Sequence, residues 1–215
     1  MSPIFRNYDV VASIYPTLER LAFGGQLDDA RNAFFDSLVC RHRLLLIGEG
    51  NGRFLGTCLQ HKIGGSITVV DLSGKMLSLV RSRVREMEKR TALELVQADF
   101  RHWPVAGKQF DGIVTHFFLD LFRPDSQRSI VQKIAALSSR EAIWVNVDFQ
   151  TRLGSPLYRC IDWLQYRFDR VVSGTEADRH YDPVQWIRAA GWISRQEKAF
   201  RKGSVVAELF VRKCN

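Results

Sequence analysis

The sequence predicts an α/β fold: a mostly parallel seven-stranded sheet with an antiparallel last strand and helices on both faces. Three observations carry this. Strand-like runs recur at Leu44–Ile47, Ile67–Val70, Leu93–Gln97, Phe110–Thr115 and Ala142–Val147, with helical spacing of apolar residues between them, as in a parallel sheet whose crossovers are helices. The first run passes directly into Gly48, Gly50 and Gly52 and then into Phe54, Leu55 and Leu59 at helical spacing. The chain closes with two alternating segments, Trp192–Phe200 and Ser204–Lys213, joined by Arg201-Lys202-Gly203, which read as an antiparallel hairpin.

Taken in order, Tyr8-Asp9-x-x-Ala12-x-x-Tyr15 has near-helical spacing until Pro16, and Phe23-Gly24-Gly25 makes a break. Leu27 to Leu38 reads as one helix, with Asp28 and Asp29 in the first turn, where acids suit the macrodipole. This leader can cover the open carboxyl edge of the sheet or serve packing alone. After the glycine turn a helix runs to about His61, and Gly64-Gly65 turns the chain into the second strand. Ser73 is placed to cap the helix that carries Met76, Leu77, Val80 and Val84. The third strand ends at Ala98-Asp99-Phe100. His116-Phe117-Phe118-Leu119-Asp120 follows the carboxyl end of the fourth strand, where open α/β sheets bind ligands. Pro124 and Asp125 start the next helix, and the fifth strand ends at Asp148-Phe149. Gln150 to Asp182 stands outside the sheet repeat; apolar residues from Leu157 to Val171 follow helical spacing, as in a lid over a pocket or a basic interfacial helix. Asp182-Pro183 opens a short helix that ends at Ala190-Gly191. The expected organisation is a single domain: a helical cap (1–42), a ligand-binding core (43–149), a lid-like insertion (150–182) and a closing helix with hairpin (183–215).

The glycine turn narrows the ligand. The dinucleotide fingerprint G-x-G-x-x-G would place its third glycine at Arg53 or Leu55, so neither register fits, and no G-x-x-x-x-G-K-[ST] is present. Gly-x-Gly-x-Gly suits the S-adenosyl-L-methionine (SAM) form of the turn. Asp71 ends the second strand, 19 residues past Gly52, where a carboxylate can accept hydrogen bonds from ribose hydroxyls. Asp99 at the next strand tip can meet an exocyclic amine, with Phe100 flanking a purine.

Composition bounds the rest. The 215 residues are 46% hydrophobic and 25% charged, ordinary for a globular domain. No run approaches the ~18 apolar residues of a membrane span, and the N-terminal residues lack the apolar stretch of a signal peptide. Cys40, Cys58, Cys160 and Cys214 are far apart, which disfavours a zinc site or disulfide framework and points to the reduced cytoplasm. A net charge of +8 is compatible with an acidic partner, but the cations are spread along the chain. The densest run, Arg81 to Arg90, includes Glu86 and Glu88 and reads as a solvated helix face.

With these residues in place, the sequence from about Arg43 to Lys213 resembles the class I SAM-dependent methyltransferases, whose fold is Rossmann-like. Leu44–Gly52 is similar to the family's first motif, Val70-Asp71 to the second, Ala98-Asp99-Phe100 to the third, and Phe110–Phe118 to the fourth, which lines the methyl-transfer site. The leader resembles that of small-molecule members, including quinone-biosynthesis C-methyltransferases. The resemblance implies SAM held by Tyr15, Gly48, Glu49, Gly50, Gly52, Asp71, Leu72, Met76, Asp99, Phe100 and His116, and no metal. In one departure, the acid that the family often carries two residues before the first glycine is Leu46 here; Glu49, inside the turn, or backbone carbonyls are expected to serve instead. Tyr8, Tyr15, Phe117 and Phe118 are candidates to line a dry site for a cationic sulfur. His116, Asp120 and Asp148 are candidate bases, with His180 beyond the lid. The expected partner is a small organic acceptor. A nucleic-acid methyltransferase is the first alternative, although Thr115-His116-Phe117-Phe118 lacks the prolines of the base N-methyltransferase segment. A SAM-binding protein without turnover and an NAD-linked reductase are the others. Contact with a membrane surface is not favoured.

Overall fold

The computed structural model describes residues 25–63, 65–85, 91–105, 107–150, 176–177 and 181–213. The leader with Tyr8 and Tyr15, the expected lid helix and His180 lie outside the described residues.

In chain order the elements are α1 (Gln26–Arg31), α2 (Phe35–Leu38), β1 (Arg43–Ile47), α3 (Arg53–Gln60), β2 (Ser66–Asp71), α4 (Gly74–Val84), β3 (Ala92–Gln97), β4 (Phe110–His116), a 3₁₀ turn (Leu119–Leu121), α5 (Pro124–Leu137), β5 (Ser138–Phe149), α6 (Val184–Ala189), β6 (Trp192–Phe200) and β7 (Val205–Arg212). The seven strands form one sheet in the order β3-β2-β1-β4-β5-β7-β6. β1 pairs in parallel with β2 and β4, and β7 runs antiparallel to both β5 and β6. The expected sheet, with its one reversed strand, is present.

β1 shows why an unbroken apolar run is needed at the centre. Successive side chains point to opposite faces. Leu44 and Leu46 enter a core with Leu27, Phe34, Leu38, Phe54, Leu77 and Val80, from the α1–α4 side. Leu45 and Ile47 enter a second core with Ile130, Ile134, Trp144 and Ile187, on the α5–α6 side. The start of the strand is fixed to its neighbour by Asp111 of β4, whose carboxylate accepts the amides of His42 and Arg43 at 2.7–3.1 Å.

Two expectations change. Leu27–Leu38 is two short helices, not one. Asn32 interrupts it: its side-chain amide donates to the Asp28 carbonyl at 2.8 Å, a local bond that competes with helix propagation. The fifth strand starts at Ser138, directly after α5, instead of at Ala142. Ser138–Glu141 lacks an apolar pattern, so its extended backbone left no trace in the periodicity. Among the described residues no helix is long and apolar enough to cross a membrane.

Candidate functional site

The site begins where β1 stops. Gly48, Gly50 and Gly52 have φ of +66°, +65° and +77°, a region that L side chains enter only at a cost. Packing adds a second demand at two of them. A Cβ on Gly48 would lie 2.6 Å from the Phe118 ring, and one on Gly52 would lie 3.0 Å from the Val80 side chain. Among the described residues, nothing lies within 4 Å of a Cβ placed on Gly50. The outer glycines therefore let Phe118 and α4 close in, and the middle one leaves its backbone open to a ligand.

Asp71, at the tip of β2, points at this turn. Its Oδ2 accepts from the Gly50 amide at 3.0 Å and its Oδ1 from the Ser73 amide at 2.9 Å. Ser73 caps α4 as expected, its hydroxyl accepting the Met76 amide at 3.1 Å. Leu72 and Met76 are half-buried beside it.

Glu49 leans out of the turn, and its Oε1 accepts the Leu55 amide at 2.9 Å, capping the first turn of α3. Burial raises its carboxyl from 4.5 to about 7, against the pull of that amide and of the Arg31 cation. The native state therefore binds a proton at Glu49 between roughly pH 4.5 and 7 that the unfolded chain has released, so this group's contribution to stability is lost as pH rises through that window. Glu49→Gln keeps the cap acceptor and removes the titration. It is expected to raise the melting temperature at pH 8 by about 2–6 °C, from roughly 1–2 kcal/mol of relieved desolvation, and to leave it nearly unchanged at pH 5, as scanning calorimetry would show.

β4 delivers His116 alongside the turn: Ile47 pairs with Thr115, so His116 is one residue further, level with Gly48. The strand includes His116, which had been expected just beyond it. The imidazole is 7% exposed and stands edge-on to Phe54 at 4.7 Å between centroids. Among the described residues neither ring nitrogen has a hydrogen-bond partner. Burial, aided by the Arg31 charge, holds the ring neutral by pushing its pKa well below 6.5. Phe117 then adopts φ +52° and its amide donates to the Val147 carbonyl. The residue in the left-handed region sends the next two rings apart: Phe117 packs on Phe149 under the Arg31 guanidinium, 5.0 Å away, while Phe118 packs on Phe100, Phe122 and Gly48.

On the other face of the same strand ends, Asp120 and Asp148 are each 3% exposed and interact directly. Asp148 accepts the Phe118 amide at 3.2 Å and a bond from the Asn146 side chain. The Thr115 hydroxyl donates to Asn146 Oδ1 at 2.7 Å and accepts the Trp144 indole N–H at 2.8 Å, which fixes the orientation of that amide. Burial first, then the neighbouring charge of Asp120, pushes Asp148 well above the usual carboxylate range. A proton on Asp148 relieves the repulsion between the two neighbouring carboxyls.

Asp99 and Phe100 are occupied differently from expectation. Burial pushes the Asp99 carboxyl up, but hydrogen bonds and charge from Arg101 outweigh it and hold the group below its usual range. Arg101 Nε and Nη2 reach it at 2.6–3.1 Å, and the same guanidinium pairs with Glu176. The Phe100 ring is buried in the core against Trp103 and Phe118. Arg31 was missed by the sequence reading. It belongs to no motif, and only its place one turn beyond Asp28, which it bonds at 2.7 Å, marks it. Among the described residues no three His, Cys, Asp or Glu side chains are grouped to hold a metal ion.

Residues 44–140 match the methyltransferase domain family. No curated protein sequence matches the chain. Solved structures do. A TehB-like SAM-dependent methyltransferase from Corynebacterium glutamicum superimposes with a TM-score of 0.64 at 14% identity, covering 94% of this chain and 98% of that one. The N-methyltransferase NodS from Bradyrhizobium japonicum, in complex with S-adenosyl-L-homocysteine (SAH), gives 0.63 at 13%, covering 87% and 84%. The mitomycin 7-O-methyltransferase MmcR gives 0.68 at 15%, covering 95% and 60%. At these identities the likeness establishes the sheet and its order. Residues 44–140 thus carry the methyltransferase-domain match, on a sheet whose fold is that of solved SAM-dependent methyltransferases.

Proposed function

We propose that this enzyme methylates a small organic acceptor by in-line displacement at the carboxyl ends of β1, β4 and β5. The observation that carries the reading is the opposition of two differently equipped walls at those ends. The β1–β2 wall has the open Gly50 backbone held by Asp71. The β4–β5 wall has the buried Asp120–Asp148 pair with the Phe118 ring in front of the turn. Bound SAM supplies a methyl group on a sulfonium sulfur. The chain's part is to hold the reactants in line, which supplies much of the acceleration, and to keep water out. In this reading Gly48, Gly50, Gly52, Asp71, Leu72 and Met76 hold the cofactor, with Asp71 toward the ribose. Asp99 reaches the adenine amine if it shares its carboxylate with Arg101. Phe117 and Phe118 surround the cationic centre. An O- or N-bound acceptor must shed a proton, and the carboxyl pair at Asp120 and Asp148 is placed to take it. The likeness to MmcR, a mitomycin 7-O-methyltransferase, lends support to a small acceptor.

The test is incubation of the protein with methyl-labelled SAM and a fractionated cell extract. The expected label appears in the low-molecular-weight fraction and is lost in Asp148→Asn. Label confined to RNA or protein would overturn the reading.

A further inference from the structure

His116 is a buried polar side chain with no hydrogen-bond partner among the described residues. At 7% exposure with both ring nitrogens unpartnered, it carries the desolvation cost of an unmade hydrogen bond. Its neighbours keep it neutral: Phe54 of α3 stacks edge-on, and the Arg31 cation of α1 opposes a second positive charge. A neutral imidazole has one nitrogen that can only accept. The same end of the turn offers little else. Leu46 is fully buried in the core, and the one acid in the turn, Glu49, has its Oε1 committed to the Leu55 amide.

Position selects the donor. Asp71 and His116 end β2 and β4, which flank β1 on either side, so they stand two strand spacings apart, roughly 10 Å. A ligand that places ribose hydroxyls at Asp71 and its sulfur over Gly50 extends its amino-acid end toward β4. The donor at that end is the α-ammonium group.

We infer that the ring of His116 accepts a hydrogen bond from the methionyl ammonium of SAM and SAH, in the place left empty by Leu46. This goes beyond the choice of acceptor and rests on the cofactor alone. An uncharged acceptor suits a ligand that also carries a sulfonium, because a protonated ring would repel both cations.

The test is calorimetric binding of SAH and of 5′-methylthioadenosine, which shares the adenosine and sulfur but lacks the amino-acid end. For His116→Phe the inference expects SAH affinity to fall about tenfold, as for one lost bond to a charged donor, with methylthioadenosine within about twofold. Equal losses for both ligands, or no loss for SAH, would overturn it. If His116→Phe does not fold, ¹⁵N spectra of the wild-type protein serve instead, with the His116 ring identified by its contact with Phe54. The acceptor nitrogen is expected to move upfield with SAH and to stay in place with methylthioadenosine; no movement with SAH would overturn the inference. A wild-type protein that binds SAH tightly yet methylates no small molecule would defeat the proposed function while leaving this assignment standing.

Discussion

Asp71→Ala is expected to reduce SAH affinity by at least about 100-fold and to destabilise the fold by roughly 2–4 kcal/mol, because two amides lose their acceptor at once. Gly50 N and Ser73 N both bond this one carboxylate, at 3.0 and 2.9 Å. Removing it releases the middle of the glycine turn and loosens the entry to α4 in the same step. The ribose hydroxyls, assigned to the same oxygens, lose their partner as well. Asp71→Asn keeps one acceptor oxygen. It should retain most of the stability, since the amide can still receive one of the two backbone donors, but it should bind SAH clearly more weakly than the wild type. Calorimetric titration for affinity and urea unfolding for stability separate the two effects. Full SAH affinity in Asp71→Ala would remove Asp71 from the cofactor site.

The second large effect is expected at Gly48. An alanine there must adopt φ near +66° and place its Cβ 2.6 Å from the Phe118 ring. The left-handed backbone alone costs about 1–2 kcal/mol, and relief of the overlap must move a ring packed on Phe100 and Phe122, for a combined loss of about 2–4 kcal/mol. The double variant Gly48→Ala/Phe118→Ala distinguishes the two contributions. If overlap dominates, the double variant binds SAH better than Gly48→Ala alone. If backbone conformation dominates, it does not. By contrast, Gly50→Ala has open space around its Cβ, so its stability loss should stay near the backbone cost while its effect on ligand binding is larger.

How much of this was legible beforehand follows from the range of the interactions. β1, the turn and Asp71 were readable because each is specified locally: an unbroken apolar run, glycines at alternate positions, an acid at a strand end. Ser73 as a cap was readable for the same reason. The carboxyl pair could be placed only as two acids at two strand ends; that they meet depends on β4 and β5 being adjacent, which periodicity does not encode. Arg101 taking Asp99 and Arg31 leaning toward Glu49 and His116 were invisible, since long flexible cations carry no positional signature. The Asn32 break in the leader helix was missed because a single polar residue on an amphipathic stripe usually costs little.

The insertion of β7 between β5 and β6 has a consequence for synthesis. The β5 edge from Ile143 to Phe149 pairs with Val205–Val211, a segment made after every other strand. Until it leaves the ribosome, β5 presents an unpaired apolar edge beside Trp144 and Val147, the sort of surface on which nascent chains associate with one another. Completion of the sheet therefore waits for β7, and a chaperone that shields extended apolar strands would act on this protein in that interval.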